Sequence, residues 1–180
     1  MKNILDIKHK RHSHYLPIEA VTKIRDRVRV LEAQGYAYNY WFSIHLESER
    51  ITHPQRAVSS FINRMQKWHK SLNIPFRYLW VLEKSSGVGV HVHIAIHTEL
   101  ERIADLDNAL TGWLPFQRDD YFETQNTNIK YEPVGDLWGL IHYMCKGLDR
   151  RDDIPFYSGK QFVQGDEGYI RGRRYGMSRF

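Results

Sequence analysis

The residues with the clearest chemical promise are two histidines one residue apart, His91 and His93, in the run His91-Val92-His93-Ile94-Ala95-Ile96-His97. In an extended strand alternate side chains share a face. Val92, Ile94 and Ile96 therefore face a core, while His91, His93 and His97 face the other way with only Ala95 between them. Successive same-face residues lie about 6.5 to 7 Å apart, close enough for two imidazoles to converge on one ion. Isolated His-x-His pairs are commonplace on the solvent faces of sheets, and what distinguishes this one is its alternation with a Val-Ile-Ile face. His12-Ser13-His14 has the same spacing but lies in a basic segment without strand pattern, and is not read as a metal site.

Glu83 ends the preceding strand-like run and, in a hairpin of suitable register, shares the histidine face. It then supplies a third, oxygen ligand; the alternative is a solvated charge beside Lys84. Two imidazoles and one carboxylate leave coordination positions vacant, which suits Mg²⁺ or Mn²⁺ acting on a phosphate and, secondarily, a catalytic zinc.

A second constellation is Tyr143 with Lys146, three apart and so on one face of a helix, with Gly139 one turn before Tyr143. A tyrosine beside a metal-polarised phosphodiester can attack phosphorus and form a covalent phosphotyrosine. Lys146 suits stabilisation of the phenolate or retention of a phosphate oxygen. Gly139 lets a substrate backbone approach the phenol, or simply relieves packing. Tyrosine on an amphipathic helix also packs commonly at the rim with its hydroxyl in water. Near the C-terminus, Arg171, Arg173, Arg174 and Tyr175 interleave charge with an aromatic ring, either as a clamp that neutralises phosphates and stacks bases or as a solvated tail.

The elements that must position these groups follow from periodicity. Ile18, Val21, Ile24, Val28 and Leu31 predict a helix over 17–34, stopped by Gly35. Residues 36–46 predict a strand with Tyr40, Phe42, Ile44 and Leu46 on one face and Trp41, Ser43 and His45 on the other. Pro54 opens a second helix with the stripe Val58, Phe61, Ile62, Met65 and Trp68. Two strands, 76–84 and 88–98, flank Ser85-Ser86-Gly87 as an antiparallel hairpin. A third helix is expected over 100–110, a loop through Pro115, a strand at 128–132, and a fourth helix from an Asp136 cap to Gly147. The sum is an α+β fold, a central antiparallel sheet with helices on at least one face.

Composition bounds the function. At 180 residues and 42% hydrophobic the chain builds one sizeable core, read as a basic N-terminal arm, 1–15, and a single domain, 16–180. A net charge of +5 favours a polyanionic partner. The single cysteine, Cys145, allows neither an internal disulfide nor a Cys-rich zinc site, and the expected compartment is the cytoplasm. No apolar run approaches the roughly 20 residues that cross a bilayer, so no membrane partner is expected.

Together the parts resemble the HUH endonuclease superfamily, in particular the rolling-circle replication initiators of plasmids, phages and small DNA viruses. His91-Val92-His93 matches their second motif and Tyr143-Met144-Cys145-Lys146 their third, while Tyr40 to Leu46 stands, loosely, where the first is expected. The resemblance spans Tyr40 to Gly147. It implies a ferredoxin-like, about five-stranded antiparallel sheet, a divalent metal on His91, His93 and an upstream acid, here Glu83, and a 5′-phosphotyrosyl intermediate on Tyr143. Histidines ahead of the tyrosine match initiators and small insertion-sequence transposases rather than conjugative relaxases. His142 in place of a second tyrosine implies a single-tyrosine enzyme. His97 departs from the two-histidine pattern and either replaces Glu83 as third ligand or contacts DNA.

The implied activity is sequence-specific nicking and strand transfer on single-stranded DNA or a DNA hairpin at an origin, initiating rolling-circle replication of a plasmid or other mobile element alongside a host helicase. The alternatives are a transposase with the same chemistry and a non-catalytic nucleic-acid-binding module, whose histidine face binds no metal.

Overall fold

Period-two alternation in the strands demands that each apolar face find a helix, and here both faces do. In the computed structural model the described residues are 12–13, 15–46, 53–85, 89–113, 130–147, 170–171 and 173–179. The chain runs β1 (His12–Ser13), α1 (Ile18–Ala33), β2 (Tyr40–Leu46), α2 (Pro54–Ser71), β3 (Arg77–Ser85), β4 (Gly89–His97), a 3-10 turn (Leu100–Arg102), α3 (Ile103–Trp113), β5 (Lys130–Pro133), α4 (Leu137–Met144), β6 (Ile170–Arg171) and β7 (Tyr175–Met177). Five strands form one sheet in the order β5-β2-β4-β3-β7, every pairing antiparallel. The α+β reading with an antiparallel sheet of five strands and flanking helices holds.

On one face Phe42, Ile44, Trp80, Leu82, Val92, Ile94 and Ile96 pack against Val58, Phe61, Ile62 and Met65 of α2 and Leu106 and Leu110 of α3. Taking each such side chain out of water stabilises the fold by roughly 1.5–3 kcal/mol. The other face, which carries the histidines, is covered too: Leu79, Val81 and Ala95 pack with Val21, Ile24 and Leu31 of α1 and with Leu140, Ile141 and Met144 of α4. α1 ends where Gly35 takes a positive φ of 79°, and Tyr36 N–H reaches back to Leu31 O at 2.8 Å. Arg27, buried in α1, donates to Ser178 O at 3.0 Å and ties the segment after β7 to this helix.

Several boundaries differ from the sequence reading. The first strand of the sheet begins at Tyr40 rather than Tyr36, because Tyr38 is engaged by a bond from its hydroxyl to Tyr78 O at 3.2 Å. The third helix begins with a 3-10 turn at Leu100–Arg102 and continues to Trp113. The fourth stops at Met144, so Lys146 lies in the following turn and not on the helix. Gly147 there accepts a bond from Leu16 N–H through its carbonyl. His12–Ser13, read as lacking strand pattern, pairs antiparallel with β6. Residues 175–177 are no solvated tail but the edge strand β7 beside β3. The expected loop through Pro115, the hairpin tip at Ser86 and Gly87, and the rest of the 1–15 arm apart from Tyr15 lie outside the described residues. Among the described residues no helix is long and apolar enough to cross a membrane.

Candidate metal centre and its tyrosine

Register decides which side chains meet. β3 and β4 pair with Ser85 opposite Gly89, which sets Glu83 directly across from His91 and Val81 across from His93. On the other side of β4, His45 of β2 lies opposite His91 and Ser43 opposite His93. Directly opposed residues share a face, so Glu83, His91 and His45 form one row across three strands. The histidine strand has a partner on each side, and its backbone is fixed from both.

Glu83, His91 and His93 are buried, at 6%, 6% and 2% exposure. His91 Nε2 lies 2.9 Å and His93 Nε2 2.8 Å from Glu83 Oε2, and Lys146 Nζ lies 2.7 Å from Glu83 Oε1. Burial disfavours the charge on Glu83, but the bonds from His91, His93 and Lys146 outweigh it and hold the carboxyl well below the usual carboxylate range. An ionised carboxylate only accepts, so both Nε2–H groups donate to it. Burial also lowers the pKa of His93, its bond to Glu83 offsetting this only in part, which favours the neutral imidazole that binds metals. Lys146 is raised: burial opposes its charge, and its bond to Glu83, with a smaller contribution from Tyr143, prevails. It is a permanent cation at neutral pH.

These three residues can hold a metal ion. One ligand atom from each lies within 4.8 Å of the other two. The Nε2–Oε2 spacings match the roughly 3 Å between adjacent ligands about 2.1 Å from a small divalent cation. Both imidazoles turn Nε2 to this point, while Nδ1 of each is buried without a hydrogen-bond partner. His97 is not drawn in: its Nδ1 lies 2.8 Å from Ala37 O and its ring packs edge-on to Tyr36 at 5.3 Å.

Tyr143 comes to the cluster from α4. Asp136 caps that helix by accepting from Gly139 N–H at 2.9 Å. A Cβ on Gly139 would meet Asp136 Cγ at 2.8 Å, so the missing side chain makes room for the cap. Leu140, Ile141 and Met144 bury the helix against the sheet, leaving Tyr143 40% exposed at the rim. Its ring sits 4.9 Å from that of His93 and 6.2 Å from that of Trp41. Although Lys146 has left the helix, the tight turn marked by Lys146 N–H to Tyr143 O, 3.2 Å, brings Nζ to 4.1 Å from the Tyr143 ring centroid. The turn does what a further helical turn was expected to do. A cleft of about 370 Å³ opens beside this group, walled by Trp41, Val134, Gly139 and Tyr143.

The C-terminal candidates are dispersed. Arg171 belongs to β6, Arg173 is exposed, Arg174 is buried at 3%, and Tyr175 on β7 packs in the α1 and α4 core. Cys145, next to the tyrosine turn, is fully buried, and burial pushes its thiol up to about 12, which leaves it inert as a nucleophile. Two neighbours had no role from sequence: His45, stacked on His91 at 5.6 Å and 25°, and Trp41, 6.2 Å from His93. The alternation in β2 already put both on the non-core face, but only the non-consecutive β2–β4 pairing brings that face to the histidines.

Fold and site together define an α+β protein whose central sheet carries a buried Glu-His-His group able to hold a metal, with a tyrosine and a lysine against it. The family model for the replication-associated protein ORF2 matches residues 37–150, and the chain belongs to that family. The matched span contains Glu83, His91, His93, Tyr143 and Lys146. No curated protein and no solved structure matches the chain.

Proposed function

We propose that this protein is a single-tyrosine nuclease of the HUH type that nicks single-stranded DNA at an origin and so initiates rolling-circle replication. The observation that carries the reading is the convergence on one sheet face of Glu83, His91 and His93 with Tyr143, whose ring lies 4.9 Å from that of His93. Membership of the replication-associated family supports it.

In this reading Glu83, His91 and His93 hold Mg²⁺ or Mn²⁺, and the bound ion supplies Lewis-acid polarisation of a phosphodiester. The Tyr143 hydroxyl attacks phosphorus; the Tyr143–O–P bond forms as the bond from phosphorus to the 3′ oxygen breaks. The phenolic proton passes to solvent, and the departing oxygen takes up a proton to become a free 3′-hydroxyl that primes synthesis. Lys146, held protonated and close to the ring, stabilises the negative charge on the phenol oxygen. Attack by the 3′-hydroxyl on the phosphotyrosine reverses the step and rejoins the strand without ATP, because the phosphodiester energy is kept in the covalent adduct.

The test is covalent capture. Wild-type protein with Mn²⁺ and a random pool of single-stranded DNA is expected to give a protein–DNA adduct that survives a denaturing gel. Tyr143→Phe gives none, while its melting temperature stays that of wild type because the hydroxyl lies at an exposed rim. Equal adduct from both proteins refutes the nucleophile, and no metal-dependent adduct from the wild type refutes the nuclease.

A further inference from the structure

The cleft beside Tyr143 has a composition that selects its occupant. Its walls are the Trp41 indole, the Pro133-Val134-Gly135 segment, Gly139, Leu140 and the Tyr143 ring, and among the described residues its one carboxylate belongs to Asp136. Among the described residues no Lys, Arg or His lines it. A phosphate has nothing in these walls to hold it and a carboxylate to repel it, whereas a flat apolar ring with polar edges has both an aromatic wall and an acceptor. The volume, about 370 Å³, is at the small end of the roughly 300–1,000 Å³ range of ligand pockets. Trp41 is half-buried and positioned by its packing at 6.2 Å from both His93 and Tyr143, so it faces the cleft from a rigid sheet and not from a loop.

We infer that this cleft is a nucleobase subsite, in which Trp41 stacks the base of a nucleotide adjoining the phosphate that Tyr143 attacks. The inference rests on the nicking reading for what lies next door, but the subsite is a binding property and can be measured without cleavage. Asp136 gives it a preference. Its carboxylate accepts from exocyclic amino groups, so cytosine and adenine fit better than thymine.

The experiment compares short single-stranded homo-oligonucleotides of dC, dA and dT with an abasic phosphodiester strand of equal length, by fluorescence anisotropy in Mn²⁺. The protein is the Tyr143→Phe variant, which leaves the strands uncleaved. A stacked base contributes about 1–3 kcal/mol, so removing the bases is expected to weaken binding ~5- to 150-fold at the conversion of 1.4 kcal/mol per decade. Adding Trp41→Ala should abolish most of that ratio, with the abasic strand bound as before, and adding Trp41→Phe should restore part of it. Asp136→Asn keeps a helix-capping side chain and should narrow the preference for dC and dA over dT. Circular dichroism and melting show whether Trp41→Ala is folded, and Trp41→Phe carries the test if it is not. A base-to-abasic ratio unchanged by both Trp41 variants overturns the subsite. Adduct formation by the wild type is scored separately: an adduct without Trp41-dependent base binding sinks the subsite alone, and Trp41-dependent base binding without an adduct upholds the cleft and sinks the nuclease.

Discussion

Replacing Glu83 with glutamine separates its role as a ligand from its role as a space-filler. The amide has nearly the shape of the carboxylate, so the buried volume stays occupied, and what changes is charge and the number of acceptors. In the wild type the carboxylate accepts from His91, His93 and Lys146 at 2.9, 2.8 and 2.7 Å. In the variant one oxygen still accepts, and the new NH₂ donates to an imidazole that has moved its proton to Nδ1. Lys146 loses its charged partner but is 23% exposed, so water replaces part of the loss. Metal-free stability should therefore fall by about 1–3 kcal/mol, the cost of a hydrogen bond to a charged group. The metal-dependent part is more diagnostic. At a Mn²⁺ concentration about 100 times Kd, binding stabilises the wild type by about 2.7 kcal/mol, or about 5–10 °C in a domain of this size. Loss of an outer-shell partner alone weakens metal binding ~10- to 100-fold, so loss of a direct ligand costs at least ~100-fold. At the same Mn²⁺ concentration the variant then gains only about 0.4 kcal/mol, or about 1–2 °C. The assay is calorimetry of both proteins in chelator and across a Mn²⁺ titration. A variant that keeps the full Mn²⁺-dependent rise refutes the argument, since the Glu83 carboxylate is then no ligand and the cluster is only a buried ion pair.

Lys146→Met should slow adduct formation ~10²- to 10³-fold, the cost of one preorganised charge stabiliser, while the Mn²⁺-dependent rise in melting temperature persists; an unchanged rate removes Lys146 from the mechanism. His69 is fully buried in α2, 2.8 Å through Nδ1 from Met65 O and 4.5 Å in ring centroid from Phe76, and burial lowers its pKa. The unfolded chain takes the proton first, so stability is complete above about pH 6.5 and falls below it by up to about 1.4 kcal/mol per pH unit; urea midpoints across this range should flatten in His69→Gln, and an equal slope in the variant assigns the acid sensitivity elsewhere. At Gly176 on β7 a Cβ would meet the Trp80 indole at 2.6 Å, so Gly176→Ala should cost about 1–3 kcal/mol of overpacking, read from the urea midpoint, and a neutral result means that the edge strand shifts freely.

Legibility in the sequence followed the range of the forces involved. The helix of Ile18, Val21, Ile24, Val28 and Leu31 and the hairpin of β3 and β4 are local, set by periodicity and a short connection, and both were readable. Once the hairpin was given, one step of register decided whether Glu83 joined the histidines, and a glutamate beside a lysine carries no signal for that step. The insertion of β4 between β2 and β3 is non-local, which is why His45 and Trp41 had no role until their strand was seen to lie against His91 and Ala95. The second helical layer was hidden for a different reason: Ala95 is so small that a face of His, His, Ala and His does not read as apolar, although α1 and α4 bury it.

The division of the site between elements has a mechanical consequence. Glu83, His91 and His93 stand on the two strands β3 and β4, each hydrogen-bonded on both sides within the sheet. Their mutual spacing is fixed by backbone that cannot shift without breaking ladders on either side. Tyr143 and Lys146 stand instead at the end of an eight-residue helix and in the turn after it, held through Leu140, Ile141 and Met144 and by the bond from Leu16 N–H to Gly147 O. Local opening costs least where few ladder bonds must break. The ligand cluster is thus the rigid half of the site and the tyrosine the adjustable half, which suits a group that must reach a phosphorus atom and later withdraw while the cluster keeps its shape.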